Sequence, residues 1–347
     1  MVTPETLARR SDAAAAQVAA LAEAYRRSGE AGDLVRLRDG RIRLGQGIDG
    51  SAPTAWGDRR QDPPPRDLFT PAPGTLPEID ARALDLDHLA SAMHHHGALI
   101  VRGLFSPRTA MAFRHDIDAV LDALRVFLDA KAEGRDADLP TAQKVLFQPI
   151  PNSDQLHKGM GSAFLGLSGA VGTLLSPLVS HRLLDQFETL GLRRLLQRYF
   201  RDEPCLSFYK SVLRRAEPLP HPAEWHQDGA FMDEGIDSLN LWVALSDCGP
   251  GTNSPGMDLV PRRLDRIVPP GTDGALFDWS VSEETVARTF RDPVARPRFD
   301  AGDAVFFDHF NLHATSSAPD FTRPRYAIET WFFAKSRCAL NQIPVCW

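Results

Sequence analysis

An α+β fold, with helices first and strands after Cys205, is what this sequence predicts. Three observations carry that prediction. Capped amphipathic segments recur as far as Tyr199. From Cys205 the apolar period changes from helical to two, the period of a strand. The length of 347 residues, 43% of them hydrophobic, suffices for a sizeable core, as one large domain or as a domain with an appended helical part.

Each element has its own signal. Thr3 can cap a helix that has Pro4 at its first position and Glu5 in its first turn, running to about Arg27 and ending near Gly29. Residues 46–77, rich in Gly, Pro and Asp and including Pro63-Pro64-Pro65, read as irregular wrapping or a linker. Asp85-Leu86-Asp87-His88-Leu89 opens a helix that stops near Gly97, and Ala98–Val101 is a short buried strand. Ser106-Pro107 starts a further helix to about Ala130. Gly159, Gly161, Gly166, Gly169 and Gly172 mark loops and short helices between 134 and 175, and Leu183–Tyr199 reads as one amphipathic helix. Strands are predicted at Ser207–Leu213, Leu239–Leu245, Ala304–Phe307 and Tyr326–Phe333. No internal repeat is present.

Composition narrows the function. A net charge of −6 provides no electrostatic footprint for nucleic acid or an anionic membrane, and the pairs Arg193-Arg194 and Arg262-Arg263 read as solvated surface. Cys205, Cys248, Cys338 and Cys346 make no C-x-x-C pair, so reduced thiols in a cytoplasmic protein are expected. The Ala-rich start is charged throughout, unlike a signal peptide, and no apolar run reaches transmembrane length.

The chemistry concentrates at His226-Gln227-Asp228 and at a histidine near the end of the chain. Two imidazoles and one carboxylate can occupy one face of an octahedral metal and leave the other open, the arrangement of non-haem Fe(II) oxygenases. His226 and Asp228, two apart on a strand, would point to one side. Spacing alone leaves His309 and His313 both open as the third ligand.

The set Gly302-Asp303-Ala304-Val305-Phe306-Phe307, then His313, then Arg325-Tyr326-Ala327-Ile328, resembles the phytanoyl-CoA dioxygenase family of Fe(II)/2-oxoglutarate oxygenases. Trp225-His226-Gln227-Asp228-Gly229 is similar to that family's proximal motif, and Leu241–Asp247 to the strand after it. Gly256–Pro261 resembles a segment that usually ends in Pro-Gly-Ser-His, where this chain has Pro261-Arg262-Arg263. The likeness covers roughly residues 200–335, with a weaker match at Asp85–Phe105.

The resemblance implies a double-stranded β-helix (a cupin-like jelly roll) at about 200–335, flanked by helices. It also implies a division into an N-terminal segment, 1–78, and a dioxygenase domain, 79–347. It selects His313 over His309, and Arg325 over Arg323. His226, Asp228 and His313 would hold Fe(II). Arg325 and Thr315 would bind the distal carboxylate of 2-oxoglutarate, with Trp242 flanking it. An Arg suits that role because its planar fork pairs bidentately with a carboxylate. Halogenating relatives have Ala or Gly at the acidic position, so Asp228 disfavours halogenation. Dioxygen and 2-oxoglutarate would be consumed and succinate and carbon dioxide released, most simply with hydroxylation of a small organic molecule. Desaturation, epoxidation or ring formation needs the same ligands. A cupin-like metal enzyme without a 2-oxo acid, or a non-catalytic jelly-roll binding protein, is the alternative class; neither nucleic acid nor membrane is an expected partner.

Other residues stay open at this stage. Of Tyr209 and Lys210, neighbours on a strand, one can face a cavity. Gln227 points outward or toward substrate. His94-His95-His96 reads as a solvated helix end favoured by the dipole. His157-Lys158 lies in a Gly-rich stretch suited to contacting substrate.

Overall fold

The computed structural model describes residues 4–47, 64–134, 144–150, 169–218, 224–232, 235–290 and 293–347. Elements in chain order are α1 (Pro4–Ser28), α2 (Ala31–Gln46), β1 (Glu78–Asp80), α3 (Leu86–His95), β2 (Ala98–Arg102) and α4 (Pro107–Ala132). There follow β3 (Ala170–Gly172), α5 (Pro177–Thr189), α6 (Leu192–Phe200), β4 (Pro204–Ala216), β5 (Trp225–His226), α7 (Gly229–Met232) and β6 (Ser238–Ala244). The chain closes with β7 (Met257–Leu259), β8 (Ser280–Val281), α8 (Glu283–Thr289), β9 (Ala304–Phe307), β10 (His313–Thr315), β11 (Arg325–Ala334) and β12 (Pro344–Cys346). The fold is thus mixed α/β, helical early and strand-rich late.

Local chemistry explains most boundaries. Gly29, at φ +64°, ends α1 where a residue with a Cβ would be strained. Asp85 caps α3 by accepting the His88 N–H at 2.9 Å, and Ser106 caps α4 by accepting the Thr109 N–H at 3.0 Å. The helix predicted over Leu183–Tyr199 is in fact two. Gly191 at φ +69° breaks it, and the first half begins earlier, at Pro177, capped by Ser176. Helix α2 has no counterpart in the sequence reading. Its Gly40 and Gly45 look like breakers, yet both are sites of close packing. A Cβ on Gly40 would lie 2.5 Å from Leu21 Cδ1, and one on Gly45 would lie 1.9 Å from the Pro344 carbonyl oxygen. Of the predicted wrapping segment, 64–77 is irregular apart from a turn at Pro73-Gly74; Thr3, 48–63 and His157-Lys158 fall outside the described residues.

The chain divides into two compact units. The first comprises Met1–Ser51, Asp116–Val212 and Phe333–Trp347. In it, Val18, Ala22 and Leu37 form an α1–α2 core against which Cys346 packs, and β4 pairs with β3 and antiparallel with β12. Tyr209 and Lys210 belong to this unit, both half-buried. All four cysteines are free thiols.

The second unit comprises Ala52–His115 and Leu213–Phe332 and holds two sheets. The larger runs β1-β2-β9-β6-β11, parallel only at β1–β2 among its described pairings. The smaller runs β7-β10-β5-β8. Phe307 of the larger sheet meets His313 of the smaller, ring centroids 4.7 Å apart, so the two sheets touch at that point. Behind the smaller sheet, Trp225, Val260, Val281, Leu312 and Ala314 join a second core cluster.

The Gly302-Asp303 turn fixes the start of β9. Asp303 accepts hydrogen bonds from Arg102 Nη1 (2.7 Å), the Gly103 N–H (2.8 Å) and the Asp300 N–H (2.9 Å). Gly302 sits at φ +106°, and a Cβ there would lie 2.2 Å from the Phe105 carbonyl oxygen. Gly302→Ala is therefore expected to cost about 3 kcal/mol or more, from overpacking plus left-handed strain. Urea unfolding checks this; a loss within about 0.5 kcal/mol, the range of ordinary surface substitutions, would contradict the packing described.

Candidate metal and co-substrate site

His226 and His313 stand directly opposite each other in the antiparallel β5–β10 pair. Strand alternation sends their neighbours Trp225, Leu312 and Ala314 into the rear core cluster and both imidazoles to the other face. Their ring centroids lie 4.4 Å apart. Each ring places Nδ1 on a backbone carbonyl two residues earlier: His226 on Glu224 at 3.2 Å, His313 on Asn311 at 3.1 Å. A carbonyl only accepts, so Nδ1 carries the proton and Nε2 of each neutral imidazole keeps its lone pair. Metal-binding histidines are commonly oriented in this way.

Asp228 reaches the same place by a different route from the one predicted. Strand β5 ends at His226, and Asp228 opens the single turn α7, where its carbonyl accepts the Phe231 and Met232 N–H groups. The turn packs tightly at its first residue, where only glycine fits. A Cβ on Gly229 would lie 2.6 Å from Ile267 Cδ1 and 3.0 Å from His309 Cδ2. Asp228 is buried, with Oδ1 4.0 Å from His226 Nε2. Two cis ligands about 2.1 Å from one ion would stand about 3 Å apart. The pair is therefore wider than a closed metal shell, and among the described residues no three His, Cys, Asp or Glu side chains form a closed cluster. The donor types nonetheless suit a borderline metal such as Fe(II): two imidazoles with their lone pairs on Nε2 and one buried carboxylate.

His309 takes another position. Its carbonyl accepts the Gly229 N–H at 3.0 Å, and its Nδ1 shares a 2.7 Å hydrogen bond with Ser238 Oγ. It thus supports the Asp228 turn from behind. Gln227 points neither outward nor toward a substrate. Its Nε2 donates to the carbonyls of Arg266 (3.0 Å) and Phe310 (2.6 Å), and its Oε1 accepts the Val268 N–H (2.7 Å). Gln227→Leu would leave three backbone groups short of a partner, two of them buried. It is expected to cost about 3 kcal/mol, measured by thermal unfolding of the metal-free chain; unchanged stability would show the bonds to be dispensable.

Arg325, at the start of β11, is buried, whereas Arg323 is exposed. Arg325 Nη1 donates to the Gly256 carbonyl at 2.7 Å, and its Cζ lies 5.4 Å from the Trp242 ring centroid. Among the described residues no carboxylate forms an ion pair with it, and Nε has no hydrogen-bond partner. Burial pushes its pKa down to about 10. Trp242 is itself held edge-on by Phe299, centroids 5.0 Å apart. The Gly256 carbonyl also accepts the Ser316 N–H, which ties Arg325 to the end of β10, a few residues past His313. Thr315, half-buried, shares the His313 face of that strand, but no hydrogen bond joins it to Arg325 among the described residues. Ser316 Oγ, which the sequence reading passed over, is buried there without a described partner.

Two further histidines are structural fastenings. His95 Nε2 bonds the Pro65 carbonyl at 2.8 Å and His96 Nε2 bonds Asp67 at 3.0 Å, so they hold down the 64–69 segment instead of standing in solvent. Arg263 is likewise no free surface charge: it pairs with Asp308 and lies over Phe310.

No known family profile matches the sequence, and no curated protein matches it. Among solved structures, the chain is similar to the non-heme alpha ketoglutarate dependent carbocyclase SnoK from nogalamycin biosynthesis. The identity is 17% and the TM-score 0.44, over 76% of this chain and 87% of that one. At that distance the likeness carries no weight for function.

Proposed function

We propose that this chain is an Fe(II)- and 2-oxoglutarate-dependent dioxygenase that oxidises a small organic molecule. The observation that carries the reading is the cross-strand pair His226–His313, each ring locked through Nδ1 to a carbonyl, with Asp228 beside it. Arg325 supports it: a buried guanidinium with no described carboxylate partner is matched by a ligand that brings one.

His226, Asp228 and His313 would hold the metal. Iron, when bound, supplies the redox chemistry that couples decarboxylation of 2-oxoglutarate to oxidation of a C–H bond. The chain's part is positioning and charge. The Glu224 and Asn311 carbonyls hold both imidazoles in one tautomer. Gln227 and the His309 carbonyl fix the turn that presents Asp228. Arg325, flanked by Trp242, would pair with the distal carboxylate of 2-oxoglutarate, aided by the hydroxyls of Thr315 and of Ser316, whose N–H shares the Gly256 carbonyl with Arg325. The two sheets of the second unit correspond, in this reading, to the halves of a double-stranded β-helix within a dioxygenase domain of 79–347, as in the phytanoyl-CoA dioxygenase family. Hydroxylation is the simplest outcome.

Oxygen-dependent conversion of 2-oxoglutarate to succinate by the iron-loaded chain, in the absence of substrate, tests the class. Its absence together with absent 2-oxoglutarate binding would remove the proposal. Once a substrate is found, a product heavier by one oxygen supports hydroxylation or epoxidation, and one lighter by two hydrogens supports desaturation or ring closure instead.

A further inference from the structure

One aromatic group beside the site remains unused by the roles above. Trp279 stands edge-on to His226, with centroids 5.6 Å apart and planes at 83°. It also stands edge-on to Phe231, which follows Asp228 in α7, at 6.4 Å and 88°. Phe277 stacks on Trp279 at 4.9 Å with planes only 2° apart. Despite that stacking, Phe277 remains 50% exposed and the adjoining Leu276 68% exposed.

This is not a loose surface patch. Strand β8 follows Trp279 immediately and pairs with β5 in the register His226↔Ser280 and Trp225↔Val281. Glu224 makes a second tie. Its carbonyl orients His226, while its carboxylate accepts Ser280 Oγ at 2.7 Å and the Leu276 N–H at 3.3 Å. The same residue therefore sets both a candidate ligand and the aromatic wall. The Glu224 charge is turned inward to the loop, and among the described residues no Lys or Arg lies over the face of Phe277 or Trp279. A held, stacked ring pair whose outer member, Phe277, is half exposed is suited to a further flat ring, because aromatic faces favour offset stacking.

We infer that Phe277, Trp279 and Phe231 form the specificity-determining wall of the site and select a substrate with a planar aromatic ring, its ring stacked on the wall and its reacting carbon turned toward His226. This inference rests on the oxygenase reading for what happens to that substrate, but not for its binding.

The test is equilibrium binding of 1-naphthol and of its saturated counterpart, decahydro-1-naphthol, to the full-length chain under anaerobic conditions with Fe(II) and 2-oxoglutarate. The wild type is expected to prefer the flat ring by roughly tenfold. Phe277→Ala should bring that preference close to one, and Leu340→Ala, an exposed leucine of the other unit, should leave it intact. Equal binding of the two alcohols, binding of neither, or a preference that survives Phe277→Ala would overturn the inference. 2-Oxoglutarate binding by the wild type, measured on the same sample, separates the two failures. If it is absent while the flat-ring preference persists, the oxygenase reading falls and the wall stands.

Discussion

His313→Ala is expected to lower Fe(II) affinity by about two orders of magnitude or more, since removing even an outer-shell partner of a ligand costs about 10- to 100-fold. The nearby His309 provides the contrast. His309→Gln loses the Ser238 hydrogen bond but keeps the backbone carbonyl that accepts the Gly229 N–H. It should cost about 1 kcal/mol of stability and less than tenfold in iron affinity. Iron content after anaerobic gel filtration, with thermal unfolding of the same samples, reads both effects. A larger iron loss in the His309 variant than in the His313 variant would reverse the assignment of the two histidines.

Arg325→Leu is expected to move stability and co-substrate binding in opposite directions. The arginine is fully buried, and burial lowers its pKa to about 10, so holding the charge in the folded chain costs roughly 3 kcal/mol. The sign follows from linkage. A base whose folded pKa is depressed binds fewer protons folded than unfolded above pH 10, so stability rises with pH there. Below that the penalty is fully present, including at neutral pH. Leucine removes the charge while keeping much of the packing against Trp242. The apo chain should therefore gain about 2 kcal/mol over the parent, the relief of the buried charge less about 1 kcal/mol for the lost bond to the Gly256 carbonyl. Affinity for 2-oxoglutarate should fall by about 100-fold, the loss of a charge-assisted bidentate pair. Unfolding and calorimetric binding of 2-oxoglutarate to the iron-loaded protein give the two numbers. A destabilised variant with unchanged 2-oxoglutarate affinity would mean that Arg325 is a structural cation.

What the sequence discloses here divides along physical lines. Elements whose ends are set by local chemistry were readable: the Asp85 cap, the Ser106-Pro107 start and the Gly29 stop all stand where local chemistry predicts them. Elements set by tertiary packing were not. Gly40 and Gly45 suit α2 only because Leu21 and Pro344 press against them, and Gly191 breaks a periodic run that hydrophobicity alone continues. Strands β5 and β8, of two residues each, are too short to show a period. The candidate ligands were legible as residue types and spacing. Asp228 lies beyond its strand, though, and only the fold shows His226 facing His313. Gln227, Glu224 and the Phe277–Trp279 wall act through partners distant in sequence, such as Arg266, Phe310 and Ser280, and no local pattern announces such contacts.

His226, Asp228, His313 and Arg325 are proposed together to hold iron and a 2-oxo acid. The most direct test is an anaerobic titration of the metal-free chain, first with Fe(II) and then with 2-oxoglutarate, following the weak visible metal-to-ligand charge-transfer band. The account predicts a band in the parent, none in His313→Ala, and a midpoint about 100-fold higher in 2-oxoglutarate for Arg325→Leu. A parent chain that binds iron yet never develops the band would contradict it, and would leave a metal site that takes no 2-oxo acid.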